Sequence, residues 1–201
     1  MTYSDHDIMR AMQIGQIRID PFTTDDLQPA SIDMHLGNTF KVIEPNSAWG
    51  FKTNVFERQV IDPRKPIKYK ERGPCDEFIL YPGDFVLAPT VERITINNGV
   101  VGRMEGKSSL GRIGLIIHST AGFFDPGFDG QATLELSNLT QWPLVLYPGM
   151  AICQFSVAML MTPARRSYGD KALRSKYQGQ EGPTESRIHE NFKKERTGEW
   201  L

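Results

Sequence analysis

Phe78-Ile79-Leu80-Tyr81-Pro82-Gly83-Asp84 is answered later in the chain by Leu144-Val145-Leu146-Tyr147-Pro148-Gly149-Met150. Each stretch puts Pro and Gly at the second and third positions of a four-residue turn. A type II turn wants a fixed negative φ and then a positive φ at those two places. Apolar runs flank both turns, so each reads as a strand–turn–strand unit. Working outward, Phe85-Val86-Leu87 and Ala151 to Met161 continue the β-rich pattern. Asp20-Pro21, Gln28-Pro29, Glu44-Pro45, Asp62-Pro63, Lys65-Pro66 and Gly73-Pro74 cut the rest into short pieces. Many short strands divided by such turns mean a sandwich, a jelly roll or a distorted barrel. The chain reads as mainly β.

The two ends differ from this body. Ser4 followed by Asp7 resembles a capping box, and Ile8, Met9, Met12 and Ile14 recur at helical spacing before Gly15 stops the pattern. A short N-terminal helix, packed by its apolar stripe, is predicted there. Residues 1–164 then form a single β domain carrying that helix. The segment 165–201 is polar and rich in Gly, Lys, Arg and Gln, which by composition marks a mobile tail with room for a short helix.

Composition narrows the function. With 39% hydrophobic and 23% charged residues in 201, a buried core is available and disorder is not the default. A net charge of −1 lacks the basic excess of a nucleic-acid coat, yet leaves room for a local phosphate pocket. Cys75 and Cys153 are too few for a structural zinc site and read as two reduced thiols. The opening residues lack the basic and apolar regions of a secretion signal, and no apolar run approaches the ~18 residues of a membrane span. A cytoplasmic protein without membrane or nucleic-acid partners is the expectation.

The chemistry concentrates between Gly106 and Ser137. Lys107, Ser108, Ser109, Leu110, Gly111 and Arg112 place two cations and two hydroxyls beside glycines whose amides are free. A polyphosphate needs such charge-assisted donors, although the order is not that of a P-loop. Read alone, the same run also fits a solvated loop. Asp125-Pro126-Gly127 is a tight turn, and Asp125 also fits there as a cap alone. Gln131 to Ser137 alternates: Ala132, Leu134 and Leu136 share one face, and Gln131, Thr133 and Glu135 the other. A mid-strand Glu is ordinarily solvated; it becomes a general base only where its face lines a pocket.

Lys107-Ser-Ser-Leu-Gly-Arg112, His118-Ser-Thr-Ala-Gly-Phe-Phe-Asp-Pro-Gly-Phe128 and Thr133-Leu-Glu135 resemble the core signatures of the dCTP deaminases of the dUTPase-like superfamily. Gln28-Pro-Ala-Ser-Ile-Asp33 and Ser175-Lys-Tyr-Gln-Gly-Gln180 are similar to that family as well. The likeness runs from about Ser4 to Phe192 and is weakest from Asn46 to Gly73 and over the last few residues. It implies a distorted β-barrel, jelly-roll-like and of the dUTPase type, assembled as a homotrimer with sites between subunits. It further implies a dUMP-forming enzyme that turns dCTP into dUMP, diphosphate and ammonia, with dCTP, dUTP and dTTP as the nucleotides it meets.

By that likeness Lys107 to Arg112 of one subunit hold phosphates and water in a site that the neighbour completes. Asp125 takes the 3′-hydroxyl, Phe128 lies beneath the sugar, Thr133, Leu134 and Glu135 read the pyrimidine, and Glu135 shuttles protons. Ser108, Arg112, Asp125 and Glu135 form the catalytic set. Gln154, Tyr168, Lys176 and Gln180 match positions that touch the triphosphate or close the tail over it. Gly122 and Phe123, after Ala121, are similar to the dUTPase pattern rather than that of enzymes that only deaminate.

Zinc deaminases carry H-x-E and C-x-x-C, and neither His6, His35, His118 nor His189 begins such a signature. No protein side chain is assigned to a metal; the metal expected is Mg²⁺ riding on the triphosphate. His118 reads as structural, donating to backbone. The alternatives are a deaminase that stops at dUTP, a plain dUTPase and a non-catalytic nucleotide sensor. A dUTPase resembles a Gly-rich, Arg-started motif ending in Phe, where this tail reads Lys176-Tyr-Gln-Gly-Gln180-Glu-Gly-Pro183.

Overall fold

The protein is represented by a computed structural model that describes residues 1–44 and 61–192; Pro45 of the Glu44-Pro45 break lies outside them. The chain begins with α1 (Asp5–Gln13), whose capping box is complete. The Ser4 side chain accepts from the Asp7 N–H, and Asp7 Oδ2 accepts from the Ser4 N–H at 3.1 Å. Ile8 and Ala11 are the buried residues of this helix.

The strands follow in order: β1 (Ile17–Asp20), β2 (Leu27–Gln28), β3 (Ser31–His35), β4 (Phe40–Ile43), β5 (Tyr69–Arg72), β6 (Phe78–Leu80), β7 (Phe85–Ile96) and β8 (Val100–Gly106). One helical turn, α2 (Ser108–Gly111), separates these from β9 (Leu115–Ile116), β10 (Phe123–Phe124), β11 (Asp129–Asn138), β12 (Leu144–Leu146) and β13 (Ala151–Met159). The first sheet runs β5-β4-β7-β11-β9, with β1 beside the second half of β7. The second runs β10-β8-β13-β3-β2. Both contribute to one hydrophobic core that also takes in Ile8 of α1. The chain is mainly β, as expected, with two sheets packed on a shared interior.

Both Pro-Gly turns form as read. Gly83 and Gly149 have φ of +79° and +83°, and the closing bonds Asp84 N–H to Tyr81 and Met150 N–H to Tyr147 are each 3.0 Å. Neither turn makes a hairpin, because a type II turn splays its flanking strands. Instead β6 pairs with β12, so the two echoing stretches bond to each other. The turns carry the chain out of that small ribbon and into the larger sheets.

β7 holds a proline at its centre. Pro89 sits where the ladder to β11 shifts between Gln131 and Thr133, a bulge that tolerates a residue with no N–H. The groups freed there are answered locally: Thr90 Oγ1 accepts from the Ala132 N–H at 3.1 Å, and the Gln131 amide donates to the carbonyls of Thr90 and Val91.

The polar C-terminal segment is tied down. Gly179 donates its N–H to Asp129, Gln131 donates to Gln180, Gly182 to the Gln131 side chain and Thr184 to Thr133 Oγ1 at 3.1 Å. Residues 177–186 thus form a strap along β11, and a 3₁₀ turn follows at Ile188–Phe192. Composition marks mobility because it counts apolar side chains, whereas this strap is held mainly through polar bonds.

Candidate functional site

β11 buries Ala132, Leu134 and Leu136 and turns Gln131, Thr133 and Glu135 the other way, the alternation the sequence shows. Thr133 and Glu135 face a cleft of about 690 Å³ between the sheet and the strap. Leu134 is 1% exposed and points into the core, so only its main chain is available to a ligand.

Glu135 is held from two sides. Its backbone N–H donates to Ile117, and its Oε2 accepts the Ser119 N–H at 2.9 Å. The other carboxylate oxygen has no partner among the described residues. A carboxylate bonded through one oxygen only can serve as a general base toward a molecule in the cleft.

One end of the cleft is built by the Asp125 turn. The Phe128 N–H donates to Asp125 at 3.1 Å, Pro126 occupies the second position, and Gly127 has φ +93°, which makes it a type II turn. It leaves the Asp125 carboxylate exposed and tucks Phe128 inward at 5% exposure, edge-on to Phe124 with centroids 5.0 Å apart. Tyr168 leans on Phe128 from the strap side, and its hydroxyl accepts the Tyr177 N–H. Burial pushes the Tyr168 phenol above its ordinary pKa, so it stays protonated. Gln180 lines the cleft, while Lys176 lines an adjoining groove together with Asp125 and Tyr168.

A second group of residues gathers elsewhere. The Lys107 ammonium lies 2.6 Å from Asp33 Oδ2, and the Arg112 guanidinium donates to Ser108 Oγ at 3.3 Å across the single turn of α2. Ser109, Leu110 and Gly111 complete that turn. Gln154 stands opposite Asp33 in the β13–β3 ladder. None of these residues lines the Glu135 cleft. Within this chain, therefore, the Lys107–Arg112 group and Gln154 stand apart from the Glu135 cleft.

Gly122 lies between Met104 and His118. Its carbonyl accepts the Met104 N–H at 2.7 Å, and a Cβ at this position would stand 2.5 Å from the Met104 carbonyl oxygen and 3.2 Å from the His118 ring. Phe123 is exposed on the cleft wall, with the Arg103 guanidinium 5.5 Å from its ring. The His118 reading needs correction. Its Nδ1 is buried with no hydrogen-bond partner among the described residues.

Sequence reading missed four contributors. Tyr69 on β5 lines the cleft, its phenol pushed up first by burial and then by the Glu185 charge. Lys41 bonds Glu185 at 3.0 Å, pinning the strap to β4. Ser119 was in view within the His118 stretch, but only the fold shows that its amide holds Glu135. Tyr69, Lys41 and Glu185 stand in no motif, so nothing local marks them.

The dCTP deaminase-like family profile matches residues 2–160. A protein of Corynebacterium diphtheriae named "dCTP deaminase, dUMP-forming" is 45% identical over 193 residues, covering 96% of this chain and all of that relative. One of the same name from Thermobifida fusca is also 45% identical, over 96% of this chain and 95% of its own. Among solved structures, the 2′-deoxycytidine 5′-triphosphate deaminase of Agrobacterium tumefaciens superposes with a TM-score of 0.60 at 20% identity. It covers 79% of this chain and 48% of that one, so this chain spans about half its length, and the likeness is one of fold. Taken with the cleft, the profile and the near full-length identities place this chain in the dCTP deaminase-like family.

Proposed function

We propose that this protein converts dCTP and two waters to dUMP, diphosphate and ammonia. The observation that carries the reading is the Glu135 carboxylate, fixed by the Ser119 amide and open to a cleft floored by Phe128. In the first step water adds to C4 of cytosine. Glu135 takes a proton from it and delivers it to the departing nitrogen; the C4–N bond breaks as the C4 carbonyl forms. Of the two water protons, one ends on ammonia and one on ring N3. Thr133 and the Leu134 main chain read the pyrimidine edge, and Phe128 closes the space a ribose 2′-hydroxyl would need.

In the second step water attacks the α-phosphorus in line and diphosphate leaves. Asp125 takes the 3′-hydroxyl and orients this water, while Lys107, Ser108 and Arg112 neutralise the phosphates. The Ser109, Leu110 and Gly111 amides, Gln154, Tyr168, Lys176 and Gln180 complete the phosphate contacts. The separation of the Lys107–Arg112 group from the Glu135 cleft supports a homotrimer in which each site takes its cations from a neighbour. Mg²⁺ would ride on the triphosphate oxygens rather than on protein side chains and would supply charge neutralisation there.

Product analysis with dCTP and with dUTP, separately and in Mg²⁺, tests this. Ammonia and diphosphate should appear one for one from dCTP, with little free dUTP. Ammonia without diphosphate overturns the second step, and no ammonia overturns the first.

A further inference from the structure

The small ribbon of β6 and β12 has two unlike faces. Leu80 and Leu146 turn inward and join the core, while Ile79 and Val145, partners in the ladder, turn outward at 40% and 43% exposure. The alternation continues past the strand ends and puts Tyr81 on the outward side with Ile79, and Tyr147 with Val145. These tyrosines are 55% and 54% exposed. Trp142, at 77%, stands at the Tyr81 end, where the buried Asn138 amide donates to the carbonyls of both Leu80 and Trp142. No charged residue occurs from Phe78 to Gly83 or from Trp142 to Met150.

The echo between the two stretches gives this outward face a symmetry. The strands are antiparallel with Ile79 opposite Val145, so that pair sits at the centre and the two tyrosines leave it in opposite directions. A twofold contact between identical chains needs the same patch on both, and a face whose ends carry the same residue meets that need. Its mounting is stiff: Asp84 Oδ2 accepts the Tyr81 N–H at 3.0 Å, and both turns are closed by backbone bonds. Docking therefore orders little that is loose. Three aromatic side chains more than half exposed, with Ile79 and Val145, offer roughly 600 Å². Two such faces together reach about 1,200 Å², where specific, stable interfaces begin. Aromatic residues without charge are also what the centres of such interfaces favour.

We propose that the β6–β12 ribbon is a docking surface for a second copy of this chain, with Tyr81, Trp142 and Tyr147 as its anchors. None of the three lines the Glu135 cleft or belongs to the Lys107–Arg112 turn, so this contact is separate from the one that brings cations to the cleft. The contact itself rests on the ribbon alone. The number of copies rests on the homotrimer reading: trimers joined through their ribbons make hexamers, and single chains so joined make dimers.

Light scattering after size exclusion, on the full chain over a range of concentrations, is the measurement. Wild type should have twice the mass of the Tyr81→Glu, Tyr147→Glu double variant, hexamer against trimer. Each substitution alone should weaken the association by roughly tenfold or more. Both tyrosines are exposed, so the circular dichroism spectrum of the double variant should match wild type, which separates lost docking from lost folding. Met161→Glu, at a fully exposed position after β13, adds the same charge outside the face and should keep the wild-type mass. Equal masses in wild type and the double variant overturn the proposal, as does a loss of mass in Met161→Glu. A fall by more than half places the ribbon inside the trimer contact and overturns a separate interface. If wild type is a dimer and the double variant a monomer, the ribbon contact stands and the homotrimer reading falls. Wild type of unpaired mass that binds phosphatidylcholine vesicles through the two tyrosines gives the face to a lipid surface and overturns the second copy.

Discussion

Glu135 owes its position to the bond from its own N–H to the Ile117 carbonyl and to the Ser119 N–H that donates to its carboxylate. Glutamine at this position keeps the shape and can still accept from Ser119, but it cannot carry a proton. Glu135→Gln should therefore lower ammonia release by about 10²-fold or more while dCTP still binds. Activity above roughly a tenth of wild type would remove Glu135 from the proton path. Gly122 makes a different demand. Any side chain there meets the Met104 carbonyl at 2.5 Å, so the Ser119–Phe124 wall must move. Gly122→His should shift the product from dUMP toward dUTP, read as a fall in diphosphate released per ammonia. An unchanged ratio would show that this wall does not set the outcome.

At the scale of elements, the strap and β11 act as a pair. Arg93 forks onto Asp129 with contacts of 2.9 and 2.6 Å and also reaches Glu181 on the strap. The Arg93 hydrogen bond is the main cause that holds the Asp129 carboxyl below its ordinary pKa. A carboxylate with a lowered folded pKa contributes stability above its unfolded value and loses it as pH falls through the folded one. Asp129→Asn should thus lower the thermal midpoint near pH 7, and the difference from wild type should shrink as pH is taken below about 4. Both side chains are about a third exposed, so the effect should be small. A gap that stays constant with pH would locate the loss in packing instead. The Pro-Gly turns show the limit of local reading: the turn type follows from two residues, but the partner of each strand does not. β6 pairs with β12, a partner that no residue near either turn announces.

For the whole molecule, the decisive fact is that Lys107, Ser108 and Arg112 do not line the Glu135 cleft of their own chain. If a neighbour supplies them, Ser108→Ala and Glu135→Gln chains, each inactive alone, should complement when dissociated and re-assembled together. Random mixing would restore roughly a quarter of the sites, each drawing one intact half from each parent. Mixed assemblies with no more activity than the parents would confine the site to a single chain. The same experiment, run over a range of subunit concentrations, reports whether activity depends on assembly.

The sequence alone determined what depends on near neighbours. The Ser4–Asp7 capping box, the type II turns at Pro82-Gly83, Pro126-Gly127 and Pro148-Gly149, and the alternation that sends Glu135 and Leu134 to opposite faces are all set within a few residues. The motifs from Lys107 to Glu135 also identified the family, because several of them fall in order along one chain. The tertiary structure alone decided which of those motifs meet. Asp33 neutralises Lys107 across the β3–β13–β8 sheet, the polar tail bonds along β11, and Lys41 finds Glu185. These contacts join residues tens to more than a hundred positions apart. They depend on strand order and register, which fix distance in space without leaving a local trace in the sequence.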